Sequence, residues 1–587
     1  MKIQVRALAG TDDAFIAWRA PFIANCRGFA LKRSINRKSG SAASPNSSGV
    51  ELNNFTVETV ASWVGFADGP HVDPGTRKPT TEWPIQKYLW SDFAVEAGDI
   101  VAYQVTPMVG TWQHLVEDPQ YASDWTDKIT IGSQSEHGMS CFFNRGIVAS
   151  QWLSRQLPHL ADPKKDKTAK GNQLMKSIAE PGNEIRDYLG GDLRKALVSL
   201  LDETKAAGGH IYAALFELDD PELLPQLKTF KKHAHIVLGN GSVKKKGEDE
   251  NSEARGELAD ICDLHDRFSA PRALAHNKFL VICGSDHAPQ AVWTGSTNWT
   301  KTGLCTQANN AILIRNPKLA ADYLDQWNRL AKAGDATPES LRASNDSPRS
   351  LNSGKTTLWF TPMADQKDLE QAGELIAAAR EGIIFAMFNP GPRGTLLNDI
   401  IELASPSSDK FNPDLYIQGV VNQNPGTEKN PVVLFNRGDR IDANADVVLP
   451  AAIDHRFGYW IEELEKAPRA HAMVHSKVVI IDPFGEKPVV MTGSHNMGPK
   501  ASGTNDENFL IIEGAPELAS RYATKIMEIY NQYRWRASQE KGDDGHKWLG
   551  LADDDAWQIG KPGASAKTQL YDKRRLRELD FWFGETS

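Results

Sequence analysis

Cysteine is scarce in this chain: Cys26, Cys141, Cys262, Cys283 and Cys305 are the whole set, odd in number and without CxxC spacing. That argues against a disulfide framework and a thiolate zinc site, and makes a reducing cytoplasm the simplest compartment. No stretch approaches the ~20 uncharged apolar residues of a membrane-spanning helix. The opening MKIQVRALAGTDDAFIAW holds no uninterrupted apolar segment of signal-peptide type. Neither a signal peptide nor a membrane span is expected. An excess of positive charge is missing too, with 66 Lys plus Arg against 75 Asp plus Glu and a net charge of −9. An anionic ligand must then be drawn by a local basic pocket, and indiscriminate wrapping of nucleic acid is disfavoured.

What is present is ordinary globular material: 40% hydrophobic and 24% charged residues, which excludes global disorder. At 587 residues, against about 150 per domain, two to four domains are expected. Residues 1–155 alternate short β-branched and aromatic segments (55–61, 99–106, 128–131) with the clusters SGSAASPNSSG (39–49) and DGPHVDPGTRKP (68–79). This pattern predicts an all-β, sandwich-like domain. PKKDKTAKGN (163–172) reads as a linker or surface loop. Beyond Asn183 the period changes: Leu193, Ala196, Leu197, Leu200 and Leu201 share a helix face, and a strand (210–218), a helix (221–230) and a strand (234–239) follow. The order recurs after Lys355, with strands at 358–361, 382–388 and 415–421 separated by helices near 365–380 and 396–403. An α/β fold of two duplicated halves, 180–345 and 355–535, is expected, with 536–587 as an extension packing on the catalytic unit. SVKKKGEDENSEARG (242–256) has mixed charge and no apolar period, which predicts a solvated loop.

Each half carries one chemical pattern. His276 and Lys278 precede Gly295, Ser296 and Asn298; His475 and Lys477 precede Gly493, Ser494 and Asn496, and the His-to-Asn spacings differ by a single residue. Strand alternation puts His and Lys on one face, and each GSxN stands just past a second strand. Two copies meeting about a pseudo-two-fold axis would surround one phosphate with two imidazoles, two ammonium groups and two carboxamides. Such a pocket stabilises a phosphoryl transition state without requiring a metal.

These motifs resemble those of the phospholipase D superfamily, HxKxxxxD followed by GSxN. The second copy matches fully through His475, Lys477, Asp482, Gly493, Ser494 and Asn496, while the first has Cys283 in the place of the aspartate. The likeness covers roughly 180–535. It implies that one histidine attacks phosphorus, the other protonates the leaving oxygen, and water or an alcohol releases the product. By the same resemblance His276 is the nucleophile and His475 the general acid and then base. Lys278, Lys477, Asn298 and Asn496, with Ser296 and Ser494, hold the phosphate. Cys283, five residues after Lys278, faces away from the His/Lys side, so the aspartate position is read as structural support; the superfamily's tyrosyl-DNA phosphodiesterases also lack it. At equal offsets past each GSxN stand Asn309 and Glu507, where family members often hold a catalytic histidine from behind, here expected to be that of the opposite half.

The expected activity is therefore a metal-independent phosphodiester hydrolase or transphosphatidylase with a phosphohistidine intermediate and no cofactor. Both halves in one acidic chain tilt the substrate towards a phospholipid, with peripheral membrane contact; a nuclease is the closest alternative, and a degenerate phosphate-binding scaffold is another. Two motifs in one chain remove the need for a dimer, so a monomer is expected. His471 and His475 lack the glutamate and helix of a zinc pair, and HAH at 233–235 reads as a polar strand entry without an acidic partner. GNG at 239–241 lacks the residues of a nucleotide loop and reads as a turn. Trp293, Trp299 and RFGYW (456–460) either line a groove for acyl chains or bases or simply pack; for Trp548, Trp557, Phe581, Trp582, Phe583 and the basic run 573–577, packing is favoured.

Overall fold

The computed structural model describes residues 2–146, 172–448, 473–540, 550–558 and 573–585, apart from 39–50, 53, 71, 73–75, 352–353, 423, 428, 430–431, 433 and 435–444. The loop at 39–49, all but the last residue of 163–172, the aromatic cluster 456–460, His471 and Trp548 lie outside the described residues. The chain divides into two compact units, Met1–Ser133 with Lys541–Ser587, and Gln134–Glu540.

The first unit holds an antiparallel sheet of Gln4–Ala9, Ala14–Arg19 and Leu89–Asp92. A second sheet is built on the long antiparallel pair Cys26–Asn36 and Ile100–Thr111. Alternate residues of these strands, including Trp18, Phe29, Leu31, Val101, Tyr103 and Val105, form its core. The C-terminal extension corrects the expectation that it packs on the catalytic unit, because the helix Lys573–Phe583 belongs to this N-terminal unit. Trp582 lies 4.2 Å from Phe15 between ring centroids, Asp580 pairs with Arg19 at 2.6 Å, and the Trp557 indole donates to the Cys26 carbonyl at 2.9 Å. Phe581 and Trp582 are fully buried, and apolar burial of that size sets where the helix docks.

The second unit is mixed α/β with two sheets. One runs Met139–Phe143, Asn310–Ile314, Pro289–Gly295, Lys278–Cys283, His210–Leu215, Ala234–Gly239, Asp263–Arg267. The other runs Arg349–Leu351, Thr356–Phe360, Asn508–Glu513, Val489–Gly493, Val478–Ile481, Gly382–Met387, Tyr416–Val421, Ala445–Val448. In both, the strand after the HxK lysine is central, antiparallel to the GSxN strand on one side and to the first α/β strand on the other. Continuous apolar runs such as FLVI (279–282) and VVII (478–481) suit strands covered on both faces. Met139–Phe143, expected in the N-terminal β domain, is instead an edge strand here, paired with Asn310–Ile314. Its alternating pattern fits an edge in either unit, so the sequence could not assign it.

The charged stretch 242–256 also departs from expectation: Ser252–Leu258 is helical. The Asn251 carboxamide before it accepts from Leu218 N at 2.9 Å and donates to the Phe216 and Gly239 carbonyls at 2.9 and 2.8 Å. One buried side chain thus ties two strand ends and the helix start, a tertiary constraint that composition does not carry.

Candidate active site

Both motif glycines stand at positive φ, 150° for Gly295 and 142° for Gly493. A Cβ at either would run into the carbonyl oxygen of Asn310 or Asn508 on the neighbouring strand. That close approach lets Ser296 N and Ser494 N donate to the same two carbonyls at 3.0 and 3.1 Å, which turns each chain into its GSxN loop. The serine hydroxyls then accept from Asn310 N and Asn508 N at 3.0 and 3.1 Å. They donate to Asn309 Oδ1 and Glu507 Oε2, both at 2.7 Å. The serines therefore orient the groups behind the histidines.

Those groups reach across to the opposite half. His276 Nδ1 lies 2.7 Å from Glu507 Oε2, and His475 Nδ1 lies 2.9 Å from Asn309 Oδ1. Asn309 Nδ2 donates to the Gly303 carbonyl at 2.8 Å, which fixes its oxygen towards His475. Backbone contacts hold the crossover: Asp506 N donates to Leu274 O at 2.9 Å, and Ala308 N to Met473 O at 2.8 Å. Arg267 adds a buried bidentate pair with Asp506 at 2.6 and 2.9 Å. The ring of each histidine meets an aromatic edge-to-face, Phe216 for His276 and Phe388 for His475.

Lys278 and Lys477 are buried and each spends one proton on its own histidine's carbonyl, His276 O or His475 O, at 2.7 Å. Two further ammonium donors remain on each for an anion. Burial lowers Lys278 to about 8 despite Glu507 and Glu217, and lowers Lys477 well below its usual range, with the charge of Lys278 adding to the effect. Burial holds His276 down to about 4, Glu507 pulling it up and Lys278 pushing it down. His475 is also well below the ordinary value, through burial and then Lys477, Lys278 and His276. Burial alone would raise Glu507, but His276 and Lys278 keep it below the usual range, hence a carboxylate. The site thus brings together two imidazoles, one beside a carboxylate and one beside an amide, and two lysines whose positive charge burial disfavours until an anion offsets it. The sequence-expected residues His276, His475, Lys278, Lys477, Asn309, Glu507, Ser296 and Ser494 are all buried here, with Asn298 and Asn496 in the adjoining GSxN loops.

Asp482 and Cys283 lie outside this constellation. Asp482 accepts from the N–H groups of Arg380, Glu381 and Gly382 at 2.8 to 3.2 Å, at the start of the Gly382–Met387 strand. In the first half the helix Glu184–Ala206 runs into Gly208 and Gly209, whose N–H groups donate to Lys205 O and Thr204 O at 2.9 Å. The diglycine turn satisfies the donors that an aspartate serves in the other half. Cys283, opposite His210 in the strand register, faces no such need. Asp482→Ala is therefore expected to destabilise the fold by roughly 2–4 kcal/mol, since charge-assisted hydrogen bonds are lost. Cys283→Asp should lower the melting temperature by burying an unpaired carboxylate, without a gain in turnover. A large gain in turnover at unchanged stability would contradict this.

Glu217 was not singled out by sequence. It follows the His210–Leu215 strand and accepts from Asn298 Nδ2 at 2.7 Å. Burial raises its carboxyl to about 7, with Lys278 acting against the rise and Glu250 for it. A lone glutamate past a strand end carries no spacing signal; only folding sets it beside a motif asparagine. Trp293 and Trp299 are 1% exposed, so they pack in the core and line no groove.

Residues 447–530 match the family described as the phospholipase D-like domain of cardiolipin synthase. No match is found among curated proteins. Similar solved structures include phosphatidylserine synthase from Haemophilus influenzae Rd KW20, at 13% identity and a TM-score of 0.38 over 67% of this chain and 93% of that one. Nuc, a phospholipase D family member from Salmonella typhimurium, aligns at 24% identity and a TM-score of 0.20 over 25% of this chain and 91% of that one. Yeast tyrosyl-DNA phosphodiesterase aligns at 11% identity and a TM-score of 0.31 over 54% and 85%. The weight rests on the two motifs and the family match, since scores of this size carry no argument about fold or activity.

Proposed function

We infer that this chain, a phospholipase D superfamily member by its motifs and its family match, is a metal-independent phosphodiesterase whose two halves arose by duplication and share one active site. The observation that carries the reading is the crossed pairing of His276 with Glu507 and of His475 with Asn309. His276 attacks phosphorus through its Nε2 lone pair; Glu507, accepting the Nδ1 proton, fixes that tautomer and offsets the positive charge of the phosphohistidine. The bond to the leaving oxygen breaks as that oxygen takes a proton from His475. Water, or an alcohol, then loses its proton to His475 and attacks phosphorus, breaking the P–N bond and restoring His276. Lys278, Lys477, Asn298 and Asn496 hold the non-bridging oxygens. The anionic substrate offsets both lysines and raises the proton affinity of His475, which prepares the acid only once the site is filled.

A phospholipid diester remains the favoured substrate and a polynucleotide the alternative. No helix among the described residues is long and apolar enough to cross a membrane, so a lipid would be met at a surface. The test is turnover of phosphatidylcholine vesicles, single-stranded DNA and bis-p-nitrophenyl phosphate, each with and without EDTA, well below the unfolding temperature. Turnover lost in EDTA would overturn the metal-free mechanism, and inertness towards all three would favour a phosphate-binding scaffold.

Glu217 gives this reading a pH signature. As pH rises through about 7 its carboxyl ionises beside Asn298 and adds negative charge next to the bound phosphate. KM is expected to rise across that window, and Glu217→Gln should flatten the rise. Folding has the same sign: the folded state holds a proton that the unfolded state gives up near its ordinary carboxyl value, so Glu217 costs stability as pH climbs towards 7. A KM profile unchanged in Glu217→Gln would remove the residue from the site.

A further inference from the structure

Away from the phosphate pocket, at the other end of the central strand, the first sheet gathers histidines that the reaction does not use. His210 opens the His210–Leu215 strand, His235 is the second residue of Ala234–Gly239, and His287 sits in the turn between Lys278–Cys283 and Pro289–Gly295 with φ 63°. Each offers one ligand atom, and the three lie within 4.8 Å of one another. His210 and Cys283 are register partners, while Lys278 begins the same strand as Cys283. At ~3.3 Å per residue, the cluster is roughly 20 Å along the sheet from His276.

We propose that His210, His235 and His287 bind one borderline divalent transition metal ion, of which Zn²⁺ is the type case. Two nitrogens each ~2.05 Å from zinc at the tetrahedral angle stand roughly 3.3 Å apart, and His210 Nδ1 lies 3.4 Å from His235 Nε2. His235 is prepared from behind, because its Nδ1 lies 2.7 Å from Asp263 Oδ2. A carboxylate accepting that N–H leaves the lone pair on Nε2, the arrangement that orients zinc-bound imidazoles. The Asp263 partner also corrects the reading of HAH as a strand entry with no acid nearby. Tyr212 OH lies 2.8 Å from His287 Nδ1 and can accept its proton, freeing the other nitrogen. His287 is exposed, which gives an ion an entry path and water a remaining coordination position. Three imidazoles and no carboxylate in the ligand set favour zinc-like ions over Mg²⁺ or Ca²⁺. The ion would tie the His210–Leu215 and Ala234–Gly239 strands and the 284–288 turn together, and its loss is expected to lower melting temperature rather than chemistry.

Tag-free full-length protein, stripped with EDTA and desalted, should bind one Zn²⁺ per chain by calorimetry and give the visible absorption of tetrahedral Co²⁺, with Mg²⁺ giving neither. His287→Ala, an exposed turn position, should abolish the Co²⁺ signal. Asp263→Asn, which alters the group behind His235 and also the partner of His265 Nε2 at 3.3 Å, should weaken Zn²⁺ about 10–100-fold. Zn²⁺ should raise the melting temperature of the wild type and not of His287→Ala. No one-to-one binding, or equal binding by wild type and His287→Ala, would show an imidazole stack without a metal and overturn the proposal. None of these readouts requires phosphodiesterase activity.

Discussion

Replacing His276 by alanine is expected to lower phosphodiester turnover by about 10⁴-fold or more while leaving the folded state intact. The same loss is expected for His475→Ala. Each imidazole is buried and faces, through Nδ1, a group of the opposite half, so the pair is expected to act as a unit across the crossover. Removing either group of a unit costs nearly as much as removing both, and the double variant should be little worse than the worse single one. Glu507 would be left without the His276 ring at 2.7 Å, so circular dichroism and melting temperature must accompany the rates. Substantial turnover in either single variant would contradict one shared site.

The second expectation separates the two roles. In His475→Asn, a p-nitrophenyl diester should still phosphorylate the protein, because that leaving group needs little protonation. The base that activates water is then missing, and an adduct should accumulate. After rapid quenching, intact mass and peptide mapping should find it on His276. The physical cause is the inequality behind the rings: a carboxylate holds the Nδ1 proton of His276 and steadies the cationic phosphohistidine, whereas Asn309 offers His475 only a neutral oxygen. An adduct on His475 in the reciprocal His276→Asn variant, with none on His276, would reverse the assignment. Glu507→Gln should depress phosphorylation more than adduct breakdown, since it weakens the nucleophile's tautomer and leaves the second step's base in place.

The sequence by itself determined which residues make up the candidate site. Two HxK and GSxN sets, with Asn309 and Glu507 at equal offsets, are local patterns of strand, turn and strand, and local patterns survive as spacing. The α/β order of 210–239 and 382–421 was legible for the same reason, since buried strands and amphipathic helices leave their periods in the chain. Only the tertiary structure decided what depends on which strand pairs with which. Met139–Phe143 could edge either unit, and pairing with Asn310–Ile314 chose one. Phe581 and Trp582 announced burial but not against what; Phe15 and Arg19 answered that. The aspartate missing at Cys283 was explained by a diglycine turn remote in sequence, because the donors at stake belong to another strand's start. Glu217 came beside Asn298, and His210, His235 and His287 came beside one another, through sheet register alone. Spacing along a chain records the face a residue takes, whereas its partners across strands are set by the free energy of the whole sheet, which no local window contains.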